Sequence, residues 1–476
     1  MKNLVLSLVL FLCEFFLIAQ QTTFIRTYGD VCPDFGMSVC NNNSGGYILC
    51  GQSENYTSGA ISMVAISIDS AGNQEWLQAY GGSSYDFGQS IDKTDDGGYI
   101  LCGFTSSYGA GDKDIYLVRT DSAGNQLWQK TFGGSGTEYG YCVKKTADKG
   151  FIICGSTTSF GSGGTDAMLI KTDSAGNSEW TKYFGGTAND GVYSLAITTD
   201  GGYVLAGYTY NFGAVSGDAW VFKTDSAGNH IWDNTFGSTG SERAMSIIQT
   251  ADENFIFCGY SDSYGSGSMD YYLVRLNSSG MLLQDTVFGG LSDDKAFGIA
   301  ACSDHGFILT GQTESIGNGG TDLYVIKTDS AFNIEWDNNY GGYDDDQGFY
   351  IMPTADGGYI TIGNTWSYCT FGFFYSDIFV VKLDSTGFAD GISDFSRQNS
   401  EVKIFPNPAT DYISVETGVT NENVFITISD ATGRIVLEHE FTDKTPVIKV
   451  SQLSGGLYTL NIITKKANSS AMFVKQ

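Results

Sequence analysis

An acidic residue recurs at one position along most of the chain: Asp34, Asp86, Glu138, Asp190, Glu242, Asp294 and Asp346, each 52 residues after the last. Carboxylates in such a series do one of two things. They ligate a hard divalent cation such as Ca2+, or they accept hydrogen bonds from backbone N–H groups that turns leave over. Asp344 and Asp345 precede the last of them, and the run Asp344-Asp345-Asp346 is the candidate metal site. Close behind comes an aromatic segment with Trp366, Tyr368, Phe371, Phe373, Phe374 and Tyr375. Aromatic faces are amphipathic stacking platforms, so the sequence predicts a ligand site at Trp366, Tyr368, Phe371, Phe373 and Tyr375, for a glycan with Ca2+ beside it. The alternative is that these rings pack on a neighbouring domain or plug the ring described below.

Nothing else resembles a reaction centre. The three histidines, His230, His305 and His439, form no pair at metal-ligand spacing, and none stands beside a serine as a general base would. Ten cysteines raise the question of disulfides. Cys50, Cys102, Cys154 and Cys258 share one repeat position with Ala206, Thr310 and Ile362, so they read as small core residues with free thiols. Cys32, Cys40, Cys142, Cys302 and Cys369 break the repeat, and of these Cys32 and Cys40 alone lie close in sequence.

The elements that carry these residues follow from the same period. Trp76, Trp128, Trp180, Trp232 and Trp336 lie on a 52-residue spacing, as do Gly51, Gly103, Gly155, Gly207, Gly259, Gly311 and Gly363. In one unit, Ser90 to Thr94 and Tyr99 to Gly103 read as strands joined by an Asp-Gly-Gly turn. Asp114 to Thr120 and Gln126 to Phe132 form a second hairpin around Asp121-Ser122-Ala123-Gly124-Asn125. Four strands per repeat make a blade, and seven repeats make an all-β, seven-bladed β-propeller over residues 21–388. The phase predicts how the ring shuts: the first unit begins at a fourth strand, Phe24 to Tyr28, and the last ends after a third, Ile378 to Leu383. The N-terminal strand completes the last blade. An open solenoid, the rival, needs no such phase.

The chain has 476 residues and a net charge of −28, nearly all of it upstream of residue 388. So negative a surface repels nucleic-acid phosphates and suits divalent cations, and no nucleic-acid partner is expected. Residues 1–20 have the basic start, apolar run and polar end of a signal peptide, despite Glu14. No later stretch reaches the length of a membrane helix.

The 52-residue register stops after Gly387, and residues 389–401 form a polar linker. Residues 402–476 carry Lys403-Ile404-Phe405-Pro406-Asn407-Pro408, Asp411-Tyr412-Ile413-Ser414-Val415, Asp430-Ala431-Thr432-Gly433-Arg434 and Leu453-Ser454-Gly455-Gly456-Leu457-Tyr458 around a small β-sandwich pattern. This segment resembles the type A sorting domain of type IX secretion cargo, with Pro406, Asn407, Pro408, Gly433, Gly455, Gly456, Leu457 and Tyr458 as its motif positions. The resemblance implies export in two stages, an outer-membrane translocon and a sortase-like protease as partners, and a cargo attached to the cell surface or released. The upstream repeat also resembles propeller repeats of such cargo, which bring no catalytic residues. The expectation is an exported binding or scaffold protein, with a glycan or surface protein as its partner. A polysaccharide-acting enzyme using paired carboxylates, or a structural adhesin, are the alternatives.

Overall fold

In the computed structural model, the described residues are 22–29, 33–57, 60–213, 216–317, 319–369, 375–390, 403–416, 424–429, 434–441, 446–463 and 468–476. The signal-peptide segment, Cys32, Phe371, Phe373, Phe374, Gly433 and residues 391–401 of the linker lie outside them.

Seven four-stranded antiparallel sheets form the blades. The first strand of each sheet, Asp34–Asn41 in blade one, touches its counterparts in both neighbouring blades, and Asp346–Pro353 of blade seven touches Asp34–Asn41 again. The ring is closed, which an open solenoid is not. Closure is by the N-terminal strand: Phe24–Tyr28 pairs with Asp377–Leu383 from Phe24 opposite Lys382 to Tyr28 opposite Ile378.

One correction to the sequence reading concerns the first strand. It begins at the repeated carboxylate, as in Asp86–Lys93, and not at Ser90. A β-bulge lies within it, because Gly88 pairs with Gly103 but Ser90 with Cys102. An extra residue there interrupts simple alternation and hides the strand's start from a period-2 pattern.

The repeat signature has a packing cause. Asp121 Oδ1 accepts hydrogen bonds from Ala123 N and Asn125 N at 2.9 Å, shaping the turn in which Gly124 takes φ +80°. A methyl group on Gly124 would sit 2.7 Å from the Trp76 ring of the preceding blade, and Tyr80 Oη donates to Gly124 O at 2.7 Å. Tryptophan and turn therefore travel together, since each Trp lies against the glycine of the next blade's turn. Second and third strands are buried along their whole length, as Tyr99–Thr105 and Asp114–Thr120 are, because neighbouring blades cover both faces.

Third-strand cations tie five of the blades internally. Lys171, Lys223 and Lys327 are buried and reach the aspartates of the first turn, Asp148 at 2.7 Å, Asp200 at 2.5 Å and Asp304 at 2.8 Å. Cys50, Cys102, Cys154 and Cys258 are buried free thiols, and Cys40, Cys142, Cys302 and Cys369 are also free.

The C-terminal segment has two small sheets, one with Lys403–Phe405, Tyr412–Glu416 and Val447–Lys449, the other with Val424–Ser429, Ile435–Phe441, Gly456–Ile463 and Asn468–Lys475. They share one apolar core, in which Ile413 and Ile448 of the first meet Ile426, Leu460 and Phe473 of the second. This is a small β-sandwich.

Candidate functional site

The seven repeated carboxylates are buried at the head of the first strands. Asp86 Oδ2 accepts from Gly82 N and Ser107 Oγ, both at 2.7 Å, and Glu138 accepts from Gly134 N at 2.8 Å and Thr157 Oγ1 at 2.7 Å. Asp86, Glu138, Asp190, Glu242, Asp294 and Asp346 each pin the loop arriving in their blade to the end of the second strand. A second carboxylate series, which the sequence reading missed, opens the third strands: Asp114, Asp166, Asp218, Asp270, Asp322 and Asp377. The two series converge between blades. A methyl on Gly133 would lie 2.0 Å from Asp114 Oδ1 and 2.5 Å from Glu138 Oε2, so only glycine fits between the two carboxylates. Among the described residues no group of three or more His, Cys, Asp or Glu side chains is placed to hold a metal ion.

Blade seven follows the same plan at its acidic run. Asp346 Oδ2 accepts from Gly342 N at 2.8 Å and Ser367 Oγ at 2.6 Å, Asp345 Oδ1 accepts from Thr321 N at 2.9 Å, and Asp344 N donates to Ser367 Oγ at 3.0 Å. Asp345 and Asp346 thus cap backbone. Burial pushes Asp346 up to about 6, against the hydrogen bonds that favour its charged form and with the Asp322 carboxylate adding to the rise. Hydrogen bonds from Lys223 and Thr198 hold Asp200 at about 2, and those from Lys295 and Ser268 hold Asp293 at about 2. Asp200 and Asp293 contribute stability above the ordinary carboxylate value, lost as pH falls from about 4 towards about 2. Asp346 does the reverse: its contribution is whole below about pH 4 and is lost as pH climbs through about 6. Melting temperature is therefore expected to fall between pH 4 and 6.5, and Asp346→Asn to flatten that fall. Thermal melts of both proteins across this range check it.

The aromatic segment divides. Tyr368 Oη donates to Gly341 O and its ring lies 5.7 Å from Phe379, just as Tyr108 and Tyr264 bond Gly81 O and Gly237 O in their blades. It is a repeated packing residue. Tyr375 is exposed, and Trp366 meets Phe35 edge-on at 6.0 Å.

Phe35 points to a site the sequence reading did not find. In the first strands, residues at the positions of Phe35, Met37 and Cys40 are half-buried between buried neighbours and face the central channel. At the end where loops arrive, this row joins second-strand aromatics. Phe87 stacks on Phe104 at 4.4 Å, and Phe104 meets Tyr139 at 4.9 Å. Cations lie on these rings: Lys113 over Phe104 and Tyr139 at 5.3 and 5.1 Å, Arg243 over Tyr208 and Tyr210 at 4.6 and 5.2 Å, and Lys295 over Tyr260 at 5.9 Å. The channel mouth is aromatic and carries three cations, on a chain of net charge −28. These residues differ from blade to blade, so no repeat signal marks them.

In the C-terminal sandwich, the motif residues are stitched to the last strand. Asn407 Oδ1 accepts from Val474 N at 2.9 Å between the exposed Pro406 and Pro408, and Ala409 N donates to Val474 O at 2.7 Å. Gly455 precedes the strand in which Gly456 pairs with Lys475 and Leu457 with Val474. Tyr458 stacks on Phe473 at 5.6 Å and donates to Ser454 O at 2.9 Å.

Residues 403–476 match the family described as secretion system C-terminal sorting domain. Over an aligned length of 216 residues that takes in 40% of this chain, the sequence is 24% identical to the regulatory protein FlaEY of Caulobacter vibrioides, of whose length the match covers 21%. Among solved structures, PorZ of Porphyromonas gingivalis, titled an essential bacterial surface component of the type IX secretion system, is similar over 92% of this chain and 59% of its own, at 11% identity and a TM-score of 0.39. The Pan2 WD40 domain of Neurospora crassa is similar over 78% of this chain and 99% of its own, at 9% identity and a TM-score of 0.45. The protein is thus a seven-bladed propeller bearing a secretion sorting domain, a secreted or cell-surface protein. Among the described residues no helix is long and apolar enough to cross a membrane.

Proposed function

We propose that this is a binding protein delivered by the type IX system after removal of residues 1–20, whose channel mouth takes an acidic glycan. The observation that carries the reading is the pair of cations, Lys113 and Arg243, held over aromatic rings at one end of the channel, where the third, Lys295, is ion-paired with Asp293 at 2.6 Å. Aromatic faces accept the apolar faces of sugar rings, and Arg243 and Lys113 supply charge for uronate or sulfate groups. Trp366, on the longest loop of the one blade that departs from its siblings, extends this surface beside Phe35. Tyr375 is a further contact. The engagement of Asp345 and Asp346 with backbone favours binding without Ca2+.

The test is a glycan array probed with the full chain, followed by calorimetry on the best acidic polysaccharide. Arg243→Ala and Trp366→Ala are each expected to weaken binding about tenfold. Absence of any acidic-glycan binding, or unchanged affinity in the variant carrying both substitutions, overturns the reading.

A further inference from the structure

The opposite end of the channel holds a different feature. A cavity of about 700 Å³ lies among the first strands and opens where Thr199, Gln249 and Thr250 form the turns of blades four and five. Its walls mix rings and a thioether, Tyr141, Tyr193, Met245, Phe297 and Phe349, with serine, threonine and glutamine side chains. Tyr141 and Tyr193 meet at 5.3 Å and Phe297 and Phe349 at 5.3 Å, so the rings form two continuous facets. The size suits a small organic ligand.

One cation stands in this apolar space. Lys144 lines the cavity one residue before the end of Glu138–Lys145, on the row that holds Cys40, Asp92, Ala196, Ile248, Ala300 and Met352 in the other blades. Asp92 is the one acid of that row, and it is committed elsewhere: Oδ1 accepts from Lys93 N and Oδ2 from Lys145 N, both at 2.9 Å. The Lys144 ammonium makes no hydrogen bond or ion pair among the described residues. The Tyr350 phenol, then the Cys142 thiol and Asp92, raise its pKa above the ordinary lysine value against the cost of burial. A half-buried ammonium without a direct partner is costly, and an anion that enters with its own apolar body offsets that cost.

We propose that this cavity binds a small amphipathic monoanion, a carboxylate on an aromatic or alkyl body, with Lys144 taking the carboxylate and the Tyr141, Tyr193, Phe297 and Phe349 rings enclosing the body. A single ammonium in apolar surroundings matches one negative charge. A phosphate dianion calls for more than one cation, and Lys144 is the one lysine or arginine among the described residues lining the cavity, while an acidic polysaccharide is too large for the space. Lys144 lies towards the far end of the first strands from Arg243, and the site does not depend on glycan binding there.

The experiment titrates the full chain with 2-naphthoate and with its neutral counterpart 2-naphthamide by calorimetry. Saturable one-to-one binding of the naphthoate is expected, with the amide about tenfold weaker or worse. Lys144→Met should weaken naphthoate binding about 10- to 100-fold, while Lys144→Arg should stay within about threefold of the parent. Location is read independently, because Cys142 lines the same cavity: naphthoate should slow its alkylation by iodoacetamide in the native protein. No saturable binding, equal affinity for acid and amide, or an unprotected Cys142 overturns the proposal. The acid-to-amide comparison uses the unsubstituted protein and holds even where Lys144→Met folds poorly.

Discussion

Gly103→Ala is expected to destabilise the propeller by about 3 kcal/mol or more, enough to lower the urea midpoint well outside measurement error. The methyl group would lie 1.7 Å from the carbonyl oxygen of Phe87, a backbone atom that no side-chain rotation can move aside. That carbonyl is thrust across the ladder by the bulge in the first strand, where Gly88 pairs with Gly103 and the register then slips. Gly259 and Gly363 face the same clash at 1.7 Å, with Arg243 O and Gln347 O. Gly201→Ala is the comparison. Nothing lies within 4 Å of a methyl there, and φ is +81°, so only the backbone preference is lost, about 1 kcal/mol. Equal midpoints for the two variants would show that the bulge yields, and that the seven repeated glycines serve another purpose.

The same bulge explains what was legible in the sequence and what was not. The 52-residue spacing of Trp and Gly led directly to seven blades, and the phase of Phe24 to Tyr28 led to the closing strand, because both are properties of register. Which side of a strand a residue faces is a different matter. An extra residue beside Gly88 reverses the alternation midway, so the strand reads as starting at Ser90, whereas Asp86 is its buried first residue, held between loop and second strand. The second carboxylate series was just as periodic, from Asp114 to Asp322, yet invisible as a partner of the first. Only the twist that brings one blade's third strand beside the next blade's first sets Asp114 and Glu138 against Gly133.

The two channel ends were missed for the opposite reason. Arg243 and Lys295 occupy a position that is Phe, Tyr, Gly or Gln in other blades, and Lys144 one that is Cys, Asp, Ala, Ile or Met, and a search for what repeats discards them. Function on a pseudo-symmetric ring has to break the symmetry. The rows at Phe35 and Cys40 become readable only once the first strands are known to converge on an axis. The aromatic run of blade seven, conspicuous by composition, supplied one channel residue, Trp366, while Tyr368 fills a place that Tyr108 and Tyr264 fill elsewhere.

Deleting Phe24–Tyr28 tests the closure itself and should have the largest effect of any change considered. Phe24 and Tyr28 are 3% and 7% exposed and belong to the core shared by blades seven and one. Tyr28 Oη also donates to Gly72 O at 2.6 Å, the contact that Tyr80 makes with Gly124 one blade on. Losing two buried aromatic side chains costs about 3 to 5 kcal/mol each, so the deletion should cost at least about 5 kcal/mol after relaxation. Asp377–Leu383 would then become an outer edge, with its N–H and C=O groups free to pair with another chain. The expected result is a sharply lower urea midpoint together with concentration-dependent oligomers in sedimentation. A synthetic peptide spanning residues 22–29 should restore both by adding itself as the missing fourth strand. If the deletion leaves midpoint and mass unchanged, the covalent path of the chain, and not this strand, keeps the ring shut.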